Sequence, residues 1–288
     1  MPEGDTIHRL AREHARDFAG RTVRVSSPQG RFAAEARRLD GRRFMGAEAY
    51  GKHLFHHWRG GLVVHVHLGM AGWFYRYPRP APPPRPTVRM RLATRDVTVD
   101  LIGPPTCELV SEEERREIVS RLGPDPLRRD FDPDVAWERL RRRDRPVGDA
   151  LLDQRIVSGV GNIYRIEALF LTGIHPLRGT AALSRREWTR LWQTLRALMQ
   201  RGVRTGRART VDPSETPHPR AGGPAGGAGE RSSDDFYVYR RANCRRCGRR
   251  IVELPLSGRR MFVCPRCQRK RRAGRALDQG AGAVAPAP

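Results

Sequence analysis

The chain has 288 residues, with 55 basic against 31 acidic side chains and a net charge of +24. That length suits two domains and a small module, and that charge points to a polyanionic partner, nucleic acid ahead of an anionic membrane surface. No apolar run approaches the about 18 residues of a spanning helix, and Asp5, His8 and Arg9 interrupt any signal-peptide core, so a cytoplasmic protein without a membrane partner is expected.

The chain opens Met1-Pro2-Glu3. Removal of Met1 would leave Pro2 with a free secondary amine, which can attack an electrophilic carbon and form an iminium without losing a second N–H. An α-amino group titrates near pH ~8, so a useful fraction is neutral at pH 7. Taken alone, the pair better fits a plain start site that permits methionine removal, and the rest of the chain has to raise the catalytic reading. Asp5 to Phe18 follows as a helix, with Ile7, Leu10, Ala11, His14 and Phe18 on one face, Asp5 or Thr6 at its start and Gly20 at its end. His14 on that face is expected to be a satisfied core histidine.

From Arg21 to Leu101 the pattern is that of short strands: Thr22–Ser26, Arg42–Ala49, Lys52–Trp58, Leu62–Leu68, Trp73–Tyr77, Thr87–Ala93 and Asp96–Leu101, with a Gly60-Gly61 turn. Their number and spacing predict an antiparallel sandwich. Pro78 to Pro86 cannot join a central ladder and reads as an exposed loop. Lys52 stands out because the chain holds only one other lysine, Lys270, among its basic residues. A lysine can lose its proton near neutral pH when desolvated, which arginine cannot. The hairpin histidines His53, His56, His57, His65 and His67 fall on both faces and are not assigned to a metal.

Charged and broken helices are expected over Glu112–Arg121 and Asp134–Arg143, then a helical region from Pro146 to Gln200. Within it, Ser158-Gly159-Val160-Gly161-Asn162 is a glycine turn, and Asn162 is placed to cap a helix Ile163–Thr172 that Gly173 ends. Backbone N–H groups at such a helix start suit a phosphate. Residues 202–235 are Gly- and Pro-rich and read as a flexible connection. Cys244-x-x-Cys247 and Cys264-x-x-Cys267, 16 residues apart, have the spacing of one structural zinc held by four thiolates. The strands between the pairs, Ile251–Pro255 and Arg260–Val263, make that module a β-hairpin finger. Cys107 is left over as a small hydrophobe.

Six stretches together resemble the formamidopyrimidine-DNA glycosylase and endonuclease VIII family: MPEGD, YGKHLF around Lys52, HLGMAGW, RLGPDPL, VSGVGNIYRIEALF and GRRMFVCPRCQ. The resemblance implies that Pro2 is the nucleophile, Glu3 a general acid and Lys52 an assisting lysine on a β-hairpin. It also implies that Met70 wedges into the base stack, that Arg121 lies along the DNA, that Asn162 holds the backbone at the lesion, and that Arg259 on the zinc finger grips phosphates. The partner would be damaged double-stranded DNA, met by a monomer.

The expected fold class is therefore α+β. A catalytic β-sandwich domain flanked by helices spans 1–110 and a connection spans 111–133. A helix-two-turns-helix DNA-binding domain covers 134–201, the flexible loop 202–235, the zinc finger 236–271 and a disordered tail 272–288. The expected activity is that of a bifunctional glycosylase and abasic-site lyase of base excision repair, cleaving by β,δ-elimination. MPEGDT favours oxidised pyrimidines, the endonuclease VIII side, whereas HLGMAG leans toward oxidised purines. A non-catalytic zinc-ribbon nucleic-acid-binding protein would carry the same charge and cysteines, and would need neither a processed Pro2 nor Lys52.

Overall fold

The computed structural model describes residues 2–212, 214 and 233–270. Met1, most of the expected loop and the expected tail lie outside the described residues. Helix α1 (Gly4–Phe18) comes first, followed by β1 (Thr22–Ser26), a short α2 (Ala33–Leu39), β2 (Arg42–Tyr50), β3 (His53–Trp58), β4 (Leu62–His67), β5 (Trp73–Pro78), β6 (Val88–Ala93), β7 (Val97–Ile102) and β8 (Thr106–Val110). The strands are antiparallel in the order β5-β7-β6-β1-β2-β3-β4-β8. Only two residue pairs, Thr22 with Arg43 and Val23 with Arg42, join β1 to β2. The ladder therefore turns a corner there, giving two four-stranded halves. Val25, Met90, Leu92, Val99 and Leu101 of one half share a core with Phe44, Leu54, Trp58, Val64 and Val66 of the other. This is the expected sandwich, closed on one side by Ile7, Leu10, Ala11 and Phe18 of α1.

Two elements are additional to the sequence expectation. α2 is short, but its Ala36 and Leu39, with Phe32 before it, are buried in the sandwich core. β8 is an edge strand that pairs with β4 from Val63–Val110 to His67–Thr106. Its half-polar TCELV and the prolines before it conceal it in the sequence. Along β3, His56 faces the core, where its Nε2 lies 2.9 Å from Nδ1 of His14. His14 is thus the satisfied core histidine expected.

Beyond the sandwich come α3 (Glu112–Ser120), α4 (Pro133–Arg141), α5 (Val147–Ala150), α6 (Asn162–Thr172) and α7 (Arg185–Thr205), then the hairpin β9 (Val252–Leu256) and β10 (Arg259–Val263). α3 and α7 start with full capping boxes, Ser111 with Glu114 and Ser184 with Glu187. α7 runs five residues past the expected end at Gln200. Gly202, the first residue of the expected connection, lies inside the helix and allows close approach: a Cβ there would lie 2.6 Å from Asp5 Oδ2 of α1. The left-handed Gly206 ends the helix. A second core combines α4 to α7 with Phe236, Val238, Met261, Phe262 and Val263, so the cysteine module packs on the helices.

Candidate active site and metal centre

Glu3 is a carboxylate only 2 % exposed. It is held by the start of α6. Its Oε2 accepts from Gly161 N–H at 3.0 Å and more distantly from Tyr164 N–H at 3.4 Å, and its Oε1 accepts from Ile163 N–H at 2.9 Å. These N–H groups have no partner inside the helix, and the positive end of the helix dipole favours an anion there. Gly161 leaves room for this, since a Cβ would fall 2.6 Å from Glu3 Cγ. The chain on the other side is tied as well, with Gly4 N–H donating to Gly159 O at 2.9 Å. Pro2 is buried, next to Glu3 in the chain.

Asn162 is therefore not the cap. Gly161 occupies the N-cap position without a side-chain bond, and Asn162 is the first helical residue. The Glu3 carboxylate, 158 residues away in the chain, does the capping that a local side chain was expected to do. This releases Asn162, whose Nδ2 donates to Arg260 O at 3.1 Å and whose Oδ1 accepts from Arg165 at 2.5 Å.

Lys52 sits in the β2–β3 turn, where Gly51 takes a φ of +57°. Its Nζ donates to Val160 O at 2.7 Å, one residue before Gly161. Burial lowers its pKa to about 8; Glu3 opposes this, while Arg259 and Arg165 add to it. The turn is fixed from behind by Asp125 of the RLGPDPL run, which accepts from Gly51 N–H at 2.7 Å and is 2.7 Å from His8 Nε2. Arg259 opens β10, opposite Leu256, and its charge reaches both Lys52 and the buried Arg165. Burial, with Arg259, lowers Arg165 to about 10. Pro2, Glu3, Lys52, Asn162 and Arg259, from four distant stretches, are thus gathered around one helix start.

Two expected residues stand apart. Met70 is 75 % exposed at the tip of the tight Leu68–Gly72 turn, where Gly72 N–H donates to Leu68 O at 2.8 Å. An apolar side chain so presented is free to insert into a partner. Arg121 is at the C-cap of α3, exposed, and paired with Glu117 one turn back on its own helix.

Sequence reasoning missed the roles of Asp125, Arg165 and Glu167, and placed Gly161 in a glycine turn without its partner Glu3. One signal was available for two of them: α6 is apolar nearly all round, so an arginine and a glutamate inside it need buried partners.

The ligand atoms of Cys244, Cys247, Cys264 and Cys267 all lie within 4.8 Å of one another. Cys247 and Cys264 sulfurs are 3.5 Å apart, and those of Cys244 and Cys267 4.0 Å. A tetrahedral ion with metal–sulfur bonds of about 2.3 Å sets sulfurs roughly 3.8 Å apart. The four thiols fit a zinc-sized ion.

Two family models match the chain. The formamidopyrimidine-DNA glycosylase N-terminal domain matches residues 1–104, and the formamidopyrimidine-DNA glycosylase H2TH domain matches residues 122–214. Endonuclease 8 1 of Mycobacterium tuberculosis is 47% identical over 274 residues, covering 93% of this chain and all of that protein. The formamidopyrimidine-DNA glycosylase of Thermomicrobium roseum is 31% identical over 254 residues, covering 81% of this chain and 84% of that one. Among solved structures, the MutM (Fpg) protein of Thermus thermophilus superposes with a TM-score of 0.74 at 30% identity, covering 93% of this chain and 98% of that one. The Lactococcus lactis Fpg in complex with abasic-site DNA gives 0.75 at 25% identity, covering 93% and 100%.

Proposed function

Because the chain belongs to the formamidopyrimidine-DNA glycosylase and endonuclease VIII family of DNA repair enzymes, we propose that it excises oxidised pyrimidines from double-stranded DNA and then cleaves the strand at the abasic site. The observation that carries this reading is the capture of Glu3 by the start of α6, with Lys52 bonded at the next carbonyl. Glu3 has about four lone-pair sites on its two oxygens. Backbone N–H groups use three of them, which leaves one to take up a proton and hand it on.

In the proposed reaction the damaged nucleotide is flipped out of the stack, at a cost of a few kcal/mol. Once Met1 is removed, the neutral Pro2 nitrogen attacks the sugar C1′ and the bond from C1′ to the base breaks, the departing base taking a proton from water. Glu3 takes up the proton that the Pro2 nitrogen sheds and gives it to the ring oxygen as the ring opens, leaving an iminium between Pro2 and C1′. The iminium draws electrons from C2′, whose proton is lost as the 3′ phosphate departs. A second elimination, at the 5′ side, follows by the same logic. Lys52 and Arg259 hold phosphates through these steps, Asn162 holds the backbone, Arg121 lies along the strand, and Met70 fills the gap left by the base. Zinc, bound by the four cysteines, supplies no chemistry and fixes the finger that carries Arg259.

The endonuclease 8 relative supports the pyrimidine side. The HLGMAG turn carrying Met70 favours the second reading, an oxidised-purine glycosylase. Borohydride trapping tests both, because it reduces an iminium to a stable adduct. On duplexes with thymine glycol, 8-oxoguanine, an abasic site or no damage, an adduct is expected on the abasic and thymine glycol strands, absent when the amine is blocked. Trapping on 8-oxoguanine in place of thymine glycol would select the purine reading. No adduct on any strand, with DNA binding intact, would leave a zinc-ribbon binding protein.

A further inference from the structure

Glu167 lies five residues beyond Asn162 on α6 and takes no part in the reaction above. It is completely buried. Its Oε1 accepts from Val238 N–H at 2.9 Å and Tyr239 N–H at 2.8 Å, and its Oε2 accepts from Tyr237 N–H at 2.8 Å and from the Thr210 hydroxyl. Three consecutive backbone amides aimed at one carboxylate form a nest that no strand or helix partner supplies. Burial pushes the carboxyl upward, against the pull of Thr210 and the three amides. A carboxylate buried this deeply is costly unless all its neighbours donate, and here they do.

The segment it grips leads into the cysteine module. Tyr237 O accepts from Arg245 N–H at 3.1 Å, beside the first cysteine pair. The Tyr239 ring meets Phe262 of β10 edge-on, with centroids 5.6 Å apart. Phe262 is three residues from Arg259 on the same strand. A second hold on the hairpin is Asn162, which donates to Arg260 O, and the Ser257 hydroxyl at the β9–β10 turn ties it to Asp149 of α5. The hairpin is thus fastened to α6 at two heights. One fastening is direct, and the other runs from Glu167 through residues 237–239 to Phe262.

We propose that Glu167 is a positioning residue for Arg259: its grip on residues 237–239 sets where β10 presents that guanidinium to a DNA phosphate. The proposal rests on the reading of Arg259 as a phosphate holder, and the test separates the two. The full-length, zinc-loaded protein would be measured on a duplex with a tetrahydrofuran abasic-site analogue, over a range of salt concentrations, as wild type, Glu167→Gln, Arg259→Ala and the double variant. Zinc content and thermal melting are recorded for each. Arg259→Ala should lower the slope of log affinity against log salt by about 0.9, one phosphate contact. Glu167→Gln turns an amide NH₂ toward the N–H groups. It should weaken binding by about fivefold to tenfold, lower the slope equally, and add nothing in the Arg259→Ala background. An additive double variant, or an unchanged slope in Glu167→Gln, overturns the proposal. An unchanged slope in Arg259→Ala removes the phosphate reading and this inference with it. If Glu167→Gln fails to fold, Thr210→Val removes one of the four donors. It should give a smaller weakening that vanishes with Arg259→Ala, and additivity there overturns the proposal equally.

Discussion

Lys52 is chemically distinct from the arginines around it because it can change charge within reach of physiological pH. Its pKa is lowered from 10.5 to about 8, chiefly by burial. A lysine that holds phosphate must be protonated, so DNA affinity at fixed salt should fall as pH rises through about 8. Arg at this position stays charged; Lys52→Arg should bind as well at pH 9.5 as at pH 7, measured by fluorescence anisotropy. Affinity that is flat in the wild type across that range would remove Lys52 from the phosphate contacts. Glu3 gives a different kind of test. Its proton is needed only while the sugar ring is closed. Glu3→Gln should therefore lose base excision by at least about 100-fold, while iminium trapping on a pre-formed abasic site, already partly open-chain, persists. Equal losses on both substrates would mean that Glu3 serves position alone.

The start of α6 is where most of the site is assembled, and it depends on an absent side chain. Gly161 has an extended φ of −120°, which any residue adopts. It is required for space, not for backbone freedom. Gly161→Ala should push the Glu3 carboxylate off the helix and cost about 1–2 kcal/mol of stability through the lost cap. It should also reduce excision as strongly as Glu3→Gln does. A Gly161→Ala protein with wild-type excision would show that the carboxylate works elsewhere. This contact explains what the sequence could and could not convey. Helix periods, glycine stops and the alternation in β3 and β4 are local, and they placed nearly every element within a few residues. Lys52 was visible because lysine is so rare in this chain. The capping of α6 by Glu3 was not visible, because Asn162 satisfies the local rule and nothing local says that a residue 158 positions earlier takes over the task. For the same reason residue 202 reads as part of the flexible connection, when Asp5 and Tyr164 need the space that Gly202 leaves inside the helix. Glu167 is hidden in the same way, since its partners begin 43 residues away.

At the scale of the molecule, the two larger cores among the described residues should fail under different conditions. The sandwich surrounds the His14–His56 pair, both held neutral by burial, with His14 lowered to about 4 and His56 well below 6.5. Protons then favour the unfolded chain. The stabilisation is complete above about pH 6.5 and drains away as pH falls toward 4, by about 3 kcal/mol for His14. Urea midpoints should drop steeply between pH 7 and 5, and His14→Phe should flatten that dependence; an unchanged dependence would place the acid sensitivity elsewhere. The helical core is vulnerable to metal loss instead, because Cys244, Met261, Phe262, Val263 and Cys264 belong to it and none of them to the sandwich. Structural zinc binding is worth about 10–16 kcal/mol in isolated fingers, comparable to the whole stability of a domain. A strong chelator should therefore loosen the hairpin and the helices it covers while the sandwich still melts as a unit, splitting one thermal transition into two. DNA affinity should fall at least about 100-fold, because Arg259 and the Asn162–Arg260 contact go with the hairpin. Readdition of zinc should restore both. Full DNA affinity in chelated protein would mean that the finger is an appendage, and that the grip on DNA lies wholly on the sandwich and the start of α6.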